Sequence, residues 1–337
     1  MTKFGYKLMS EEHGPRELVR NARLAEEAGF DFVAISDHYH PWLRSQGHSP
    51  YAWSVLGFIA AATESVGIVT AVTCPFLRYH PAIIAQAAAT VAILSGGRFT
   101  LGLGSGEKLN EHVVGNGWPP VRIRHEMLSE SIDIIRLLWR GGMQSYEGKH
   151  LTIEQAQIFD LPAEPPEIIV AIGGKKAARL AADKAEGIFT VEPDSKLIQH
   201  WTDAGGFEDG PRYAEMMASW AESEEEAVDI AYERLRFGTA GWSVNAELPN
   251  VAHFEAHSSV VHKEDIADLV VCGPDPGLYA DAIGRYTDAG YDHVVLVPAG
   301  PNQEGFMRFW EKELSPLLIE RAREKMEPSG PGISLRT

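Results

Sequence analysis

Residues 27–38 read Glu-Ala-Gly-Phe-Asp-Phe-Val-Ala-Ile-Ser-Asp-His, which joins the end of a predicted helix to a predicted strand and then to polar groups. An Ala-Gly pair is typical of a helix C-terminus, and the apolar run after it is typical of a buried strand. Residues 288–292 repeat the junction as Asp-Ala-Gly-Tyr-Asp. The chain is therefore predicted to repeat one unit, in which a helix ends at glycine and a strand follows.

Strand and helix alternate along most of the chain, and several strands are near-continuous apolar runs, as expected of strands buried on both faces. The predicted strands are residues 4–9, 32–36, 68–74, 99–103, 168–172, 187–191, 213–220 and 293–298. The predicted helices are residues 15–28, 52–65, 82–94, 122–139, 175–184, 195–204, 222–236 and 277–289, with a last helix near residues 302–325. About eight alternations favour an α/β fold, a single (β/α)8 TIM barrel, with an open two-lobed sheet as the alternative.

Two segments interrupt this alternation. Residues 141–167 contain Gly, Pro and an Asp-Leu-Pro sequence, and are predicted to hold a small hairpin. Residues 237–276 are long and turn-rich, and a loop of that length inside a compact domain is usually functional. We therefore predict one domain over residues 1–337, with insertion loops at the C-terminal face of the barrel and residues 237–276 as a lid.

Composition excludes several classes of protein. The formal net charge is −17, which disfavours binding to the phosphate backbone of nucleic acid, and no basic patch is visible. No apolar run reaches the roughly 18–20 residues of a membrane helix, and residues 1–10 lack the apolar run of a signal peptide. The two cysteines are too few for a disulfide framework or a zinc cluster, so we expect a cytoplasmic protein with no metal.

Residues 36–42, Ser-Asp-His-Tyr-His-Pro-Trp, end the second predicted strand, where an α/β barrel gathers its catalytic groups. His38 offers a titratable base, Asp37 a carboxylate that can orient it, and Trp42 a flat wall. The alternative is a strand-end histidine that only satisfies backbone groups. Residues 102–110, Gly-Leu-Gly-Ser-Gly-Glu-Lys-Leu-Asn, end the fourth strand, and Glu107 is predicted to point into the barrel mouth.

Residues 171–176, Ala-Ile-Gly-Gly-Lys-Lys, lead from a strand through two glycines into a helix. The free amides and positive dipole end of a helix start form a natural anion site, and Lys175 and Lys176 would add positive charge. An ordinary turn with solvated lysines is the alternative. Cys74, at the end of the third strand, is interpreted as a packing residue because no second cysteine lies near it in sequence.

Together these residues resemble the F420-dependent oxidoreductases of the bacterial luciferase-like superfamily, in the branch close to F420-dependent glucose-6-phosphate dehydrogenase. The resemblance covers nearly the whole chain, and it rests on residues 36–42, 77–86 and 104–110 and on Gly173-Gly174. It implies a luciferase-like barrel with coenzyme F420 as cofactor. It also implies hydride transfer between an alcohol-type or sugar carbon and C5 of the deazaflavin. We further expect a homodimer that acts on a small molecule, with neither nucleic acid nor membrane as partner.

The resemblance also implies a role for each matching residue. His38 would take the hydroxyl proton, and Trp42 would pack beside the reacting carbon. Glu107 would act near the deazaflavin as an acid or electrostatic partner, and Glu11 would be a further pocket carboxylate. Ala71-Val72 corresponds to a non-prolyl cis peptide behind the ring. The residues implied in cofactor binding are Asp37, Ala71, Val72, Ser105, Gly106, Glu107, Asn110, Gly173 and Gly174.

The substrate side departs from the branch, whose sugar-phosphate members hold the phosphate with two lysines and an arginine. Lys196 and Lys263 lie in roughly corresponding segments, but residues 265–271, where the arginine would fall, are acidic and apolar. Loss of bidentate charge-assisted bonds weakens phosphate binding, so we expect a neutral alcohol or ketone. The candidate substrate contacts are Trp42, Lys196, Trp242, His253, His257 and Lys263.

Three alternative functions stay open at this point. One is an F420-dependent sugar-6-phosphate dehydrogenase, if Lys196 and Lys263 form an adequate phosphate site. Another is an FMN-dependent luciferase-like monooxygenase, because one fold can host both cofactors. The last is a non-catalytic flavin-binding protein. His38, Trp42 and Glu107 suit proton abstraction with hydride transfer better than oxygen activation, which favours the F420-dependent enzyme.

Overall fold

The computed structural model describes residues 2–326. Its strands are β1 (Lys3–Leu8), β2 (Phe32–Ile35), β3 (Gly67–Thr70), β4 (Phe99–Leu103), β5 (Gln144–Glu147), β6 (Thr152–Ala156), β7 (Ile168–Ala171), β8 (Gly187–Thr190), β9 (Arg212–Ser219), β10 (Val271–Cys272) and β11 (His293–Ala299). β1, β2, β3, β4, β7, β8, β9 and β11 pair in parallel and close into a barrel, because β9 also pairs with β8. The predicted α/β barrel is therefore confirmed.

Helices separate the barrel strands along the chain. They are α1 (Pro15–Glu27), α2 (Ala52–Ala62), α3 (Pro81–Leu94), α4 (Lys108–Glu111), α5 (Val121–Trp139), α6 (Lys175–Lys184), α7 (Ser195–Asp203), α8 (Glu224–Leu235), α9 (Trp242–Asn245), α10 (Val251–Ser258), α11 (Lys263–Leu269), α12 (Pro276–Asp288), α13 (Gln303–Phe309) and α14 (Ser315–Met326). A π-helical turn, Trp310–Leu314, joins α13 to α14, so the predicted last helix is helical without a break from Gln303 to Met326. Within residues 2–326, no helix is long and apolar enough to cross a bilayer.

Side chains that alternate along the strands fill the barrel interior, as expected for the fold. The interior cluster includes Phe32, Ala34, Val69, Ile169, Phe189, Tyr213 and Val295. The opposite faces of the strands pack against the helices, whose buried residues are largely Ala, Leu and Ile. The core is therefore two concentric apolar layers, and polar side chains concentrate where the strands end.

The two predicted interruptions have different outcomes. The hairpin in residues 141–167 is confirmed as β5 and β6, an antiparallel pair. The prediction of a long loop over residues 237–276 is wrong, because this segment holds α9, α10, α11 and β10. Its turn residues begin helices: the side chain of Asn250 accepts a hydrogen bond from the backbone amide of His253 and caps α10. Residues 237–276 are thus mostly helical.

At Gly102, β4 lies very close to the backbone of the neighbouring strand β3. A Cβ atom at this buried position would lie 1.9 Å from the backbone oxygen of Thr70 on the neighbouring strand. Gly102→Ala should therefore lower the free energy of unfolding by about 3 kcal/mol, as over-packing does. Gly284 in α12 is the control, because an added Cβ meets nothing within 4 Å, and Gly284→Ala should raise stability by up to ~1 kcal/mol. Urea unfolding measures both, and equal shifts would contradict the close approach.

Candidate active site

The polar residues singled out from the sequence meet at the C-terminal ends of the barrel strands. Glu11 follows β1, His38 and Trp42 follow β2, and Glu107 and Asn110 follow β4. In an α/β barrel this end carries the active site. The barrel thus brings together side chains that are up to about a hundred residues apart in sequence.

His38 lies between two carboxylates. Its Nδ1 is 3.2 Å from Oε1 of Glu11, and its Nε2 is 3.6 Å from Oε1 of Glu107. Nδ1 is buried, and no acceptor is aligned well enough for a hydrogen bond to it. The Ser36 hydroxyl donates to the other oxygen of Glu11 at 2.9 Å, which fixes that carboxylate. The imidazole therefore has a carboxylate oxygen near each of its two ring nitrogens.

Asn110 connects this cluster to the loop after β2. It is fully buried, and its side-chain amide donates to Oε1 of Glu107. Its Oδ1 accepts hydrogen bonds from the backbone amides of Tyr39 and His40, at 2.8 and 2.9 Å. Asn110 therefore fixes both Glu107 and the chain immediately after His38.

Asp37 is oriented into the protein, behind His38. One carboxylate oxygen accepts from Thr73 Oγ1 at 2.8 Å and Trp53 Nε1 at 3.3 Å, and the other accepts from Tyr79 at 2.9 Å and Arg78 Nη2 at 3.0 Å. Its side chain is 0% exposed. The resemblance implies that this carboxylate binds the cofactor, but here four protein donors already hold it. In this structure Asp37 therefore anchors the loop that carries His38.

Arg78 and Glu111 add a further pair of buried charges behind His38, and sequence reasoning missed both roles. Glu111 Oε2 accepts the backbone amide of Arg78 at 3.2 Å, and its Oε1 is 3.7 Å from Arg78 Nη2. Burial raises the pKa of Glu111 to about 8, and the Arg78 guanidinium offsets only part of that rise. The spacing of four residues from Glu107 to Glu111 was a signal in the sequence, since a helix places such residues on one face.

Lys7 and Glu215 form an ion pair inside the barrel that the sequence did not reveal. The Lys7 ammonium also donates to the backbone oxygen of Ala71 at 2.8 Å. The peptide bond between Ala71 and Val72 is cis, as the resemblance implied. The carbonyl of that cis peptide therefore accepts a hydrogen bond from a buried lysine.

Aromatic side chains enclose Trp42. Its indole stacks on Phe237 with ring centroids 4.9 Å apart and an interplanar angle of 9°, and Phe254 packs edge-on at 5.0 Å. The His38 ring contacts the indole edge-on at 4.8 Å. Gln46 is buried and accepts the backbone amide of Trp42 at 2.8 Å. Phe237 and Phe254 both come from residues 237–276, so this segment packs directly against Trp42.

The two glycine-rich segments differ in how much space they leave. At Gly106, where φ is +74°, an added Cβ would lie 2.8 Å from Glu111 and 2.9 Å from Cys74, so glycine is required there. The side of Gly174 is open, with nothing within 4 Å of an added Cβ. Gly174 precedes α6, and no side chain caps the first turn of that helix. The start of α6 therefore presents backbone amides to an open space.

Apart from Trp42, the candidate substrate contacts are dispersed. Trp242 lies beside Gly173, 3.8 Å from an added Cβ. His253 is exposed and contacts the side chain of Asn250, which caps its own helix. The Lys263 ammonium pairs with Asp229 of α8, and both side chains are 52% exposed. Lys196 and His257 are exposed on α7 and α10. The contacts described for these residues bring none of them to His38.

Glu12 is a second buried carboxyl beside Glu11. Its Oε1 accepts the amide of Gly300 at 2.8 Å and is 3.7 Å from Arg234 Nε, while its Oε2 has no hydrogen-bond partner. Burial raises the pKa of Glu12 from 4.5 to about 7, against the lowering effects of the Gly300 amide and Arg234. The folded chain therefore binds this proton more tightly than the unfolded chain does.

This pKa predicts how stability depends on pH. Because the pKa of Glu12 is raised on folding, its contribution is fully present below about pH 4.5 and is lost as the pH rises through about 7. Glu12→Gln keeps an acceptor for Gly300 and carries no charge. We expect the variant to melt at a higher temperature than the parent near pH 8, with the gain shrinking toward about pH 5. A gain that is equal at both pH values would contradict the raised pKa.

A cavity of ≈ 1030 Å³ opens at the other end of the barrel, before the strands, and is lined by residues such as Lys3, Arg98 and His293. There Arg98 donates hydrogen bonds to three backbone oxygens, at the end of α2 and in the connection from α2 to β3. Among residues 2–326, no group of three or more His, Cys, Asp or Glu side chains could hold a metal ion.

Comparisons with known proteins agree with this geometry. The luciferase-like monooxygenase family model matches residues 1–293. An F420-dependent glucose-6-phosphate dehydrogenase of Microbacterium testaceum is 37% identical over 332 residues, covering 95% of this chain and 98% of that protein. The enzyme of the same description from Rhodococcus erythropolis is 34% identical, covering 94% and 97%.

Solved structures share the fold. An F420-dependent secondary alcohol dehydrogenase in complex with an F420-acetone adduct has a TM-score of 0.87 at 26% identity, covering 94% of this chain and 99% of that one. The coenzyme F420-dependent tetrahydromethanopterin reductase of Methanopyrus kandleri has a TM-score of 0.74 at 22% identity, with the same coverage, and supports the fold alone.

Proposed function

This chain belongs to the luciferase-like monooxygenase family, and we propose that it is an F420-dependent oxidoreductase that transfers a hydride between an alcohol or sugar carbon and coenzyme F420. The observation that carries the proposal is His38, placed between Glu11 and Glu107 and against Trp42 at the barrel mouth. F420-dependent relatives at up to 37% identity support the choice of cofactor.

The residues present fit this cofactor. The open side of Gly174 and the uncapped start of α6 suit its phosphate, which amides can hold where a net charge of −17 disfavours anions. Ser105, Gly106 and the Ala71-Val72 peptide lie at the strand ends where the ring would be held. When bound, the deazaflavin supplies the acceptor for the hydride that leaves the alcohol carbon.

The side chains divide the remaining work. His38 accepts the hydroxyl proton through Nε2, and Glu11, facing Nδ1, stabilises the imidazolium that forms. Glu107 adds a second negative charge beside the ring nitrogen that receives the proton. Trp42 forms the wall beside the reacting carbon. Asp37 and Asn110 act as positioning residues, since each fixes the loop that carries His38.

We also propose a single-domain, cytoplasmic homodimer in which residues 237–276 cover the site. Phe237 and Phe254 pack on Trp42, and the backbone oxygen of Ala246 accepts the amide of Lys108 at 3.0 Å, which supports a covering role for this segment. Exposed apolar side chains on α2 and α3, including Phe58 and Ile83, suit contact with a second copy. A monomer in light scattering would exclude the dimer.

Cofactor titration separates this proposal from the FMN-dependent alternative. We expect F420 to bind with a micromolar or tighter Kd and FMN to bind much more weakly. Tighter binding of FMN, with F420 ignored, would favour a monooxygenase. Reduction of bound F420 by an alcohol, followed by absorbance, then distinguishes an enzyme from a non-catalytic binding protein.

A further inference from the structure

We infer that Glu247 is a clasp that holds residues 242–248, the α9 segment, across the cofactor cleft, and that this clasp opens whenever F420 enters or leaves. The cofactor cleft is the space between residues 104–110, which follow β4, and residues 172–174, which follow β7. This role for Glu247 rests on the proposed binding of F420. It lies outside the chemistry assigned to His38, because the clasp controls access and moves no proton.

The α9 segment spans the ends of two neighbouring strands. β4 and β7 pair side by side in the barrel. At the start of the segment, Trp242 lies 3.8 Å from a Cβ atom added to Gly173, just after β7. Near its end, the backbone oxygen of Ala246 accepts the amide of Lys108 at 3.0 Å, just after β4. The segment therefore bridges the two glycine-bearing turns that are proposed to hold the cofactor.

Glu247 ties this segment to the chain that leads into α5. Its Oε2 accepts a hydrogen bond from Trp118 Nε1 at 2.8 Å, and its Oε1 accepts from Nη1 and Nη2 of Arg124 at 3.3 and 3.4 Å. The Arg124 guanidinium lies over the Trp118 ring, 3.8 Å from its centroid. Within residues 2–326, the side-chain hydrogen bonds that join residues 242–248 to the chain outside residues 237–276 are those of Glu247.

Arg124 gives the clasp its strength. Its side chain is 3% exposed, its Nε has no hydrogen-bond partner, and Glu247 is the carboxylate paired with it in the part of the chain that the structure describes. A buried cation that loses its counter-ion is destabilised, and hydrogen bonds to charged groups change an equilibrium by roughly 10- to 100-fold. Because Glu247 is 55% exposed, solvent screening places the expected effect at the lower end of that range.

The other ties of the α9 segment are weaker. The amide of Lys108 donates to Ala246, and the Asn245 side chain donates to the backbone oxygen of Phe237. Both bonds join neutral groups, whereas a hydrogen bond to an ionised group is about twice as strong. Gly241 precedes the segment with φ +72°, which glycine adopts without steric cost, and nothing lies within 4 Å of an added Cβ there. Release of one carboxylate therefore removes the strongest restraint on a segment that begins at a free pivot.

Rapid-mixing fluorescence tests the clasp through the rate constants of F420 binding and release. Glu247→Ala should raise kon and koff together, each by about 10-fold. The Kd should stay nearly unchanged, because the clasp is closed both before entry and before release. Glu247→Gln keeps an acceptor for Trp118 and lacks the charge, so it should give a smaller rise in both rates. Glu264→Ala, at an exposed position on α11, is the control and should keep the parent rates.

Two results of the rate measurement would overturn the clasp. If koff rises and kon does not, Glu247 contacts the cofactor and is not a gate. If neither rate changes, the α9 segment does not limit access. If the alanine variant fails to fold, Trp118→Phe replaces it, since this change keeps the ring under Arg124 and removes the N–H donor. It should raise both rates a few-fold, and parent rates would overturn the clasp.

Hydrogen exchange of the free protein tests the clasp without the cofactor. In Glu247→Ala, the backbone amides of residues 242–248 should exchange about 10-fold faster than in the parent, because the closed state is less favoured. The amides of α11 should keep their rates. Equal exchange in residues 242–248 would overturn the clasp. If the parent does not bind F420 at all, the proposed function fails, and hydrogen exchange alone decides whether Glu247 restrains this segment.

Discussion

His38→Ala is expected to lower kcat for alcohol oxidation by about 10²–10⁴-fold, the usual contribution of a general base. The loss follows from the site geometry, because His38 is placed with a carboxylate at each ring nitrogen and Trp42 at its edge. Alanine removes the proton acceptor and leaves the strands and glycines at the mouth in place. The Kd for F420, measured by fluorescence titration, should therefore stay close to that of the parent.

His40→Ala is the matched control. His40 lies two residues away on the same loop, and its Nδ1 contacts the backbone oxygen of Leu109 at 3.1 Å and no carboxylate. This variant should keep most of the activity. A His38→Ala enzyme with near-normal turnover would remove His38 from the mechanism.

The sequence predicted the local structure around the candidate residues wherever that structure lies within one strand and the turn after it. Residues 36–42 and the Gly173-Gly174 helix start could be recognised because a strand end, a glycine and a titratable group follow one another along the chain. The barrel was predictable for the same reason, since each strand-helix unit is encoded locally.

Partners that come from distant parts of the chain were not predictable. Asp37 has four donors, and three of them, Thr73, Arg78 and Tyr79, come from beyond the third strand. Stacking of Phe237 on Trp42 joins residues nearly two hundred positions apart. No local pattern encodes such pairs. The lid segment was misread for a related reason: Asn and Gly mark helix starts as well as loops, and only the structure shows which applies.

Gly174→Asp is expected to raise the Kd for F420 by roughly 10²-fold, because two like charges at contact distance repel by a few kcal/mol at a protein surface. The added carboxylate would lie at the open start of α6, where the phosphate is proposed to bind. The same change should leave the fold intact or slightly more stable. Gly174 has φ 171°, extended backbone that any residue adopts, and aspartate is a preferred residue at a helix N-cap.

Gly174→Asn separates charge from size, since asparagine has nearly the same shape and also caps helices well. It should weaken F420 binding much less than aspartate does, and the gap between the two variants should narrow as salt screens the repulsion. Titration with F420 at two salt concentrations measures the change in Kd, and thermal melts measure the change in stability. If both variants bind F420 as tightly as the parent, the phosphate lies elsewhere. If aspartate and asparagine weaken binding equally, the added side chain acts by its size or by capping the amides of α6, and charge repulsion is not the cause.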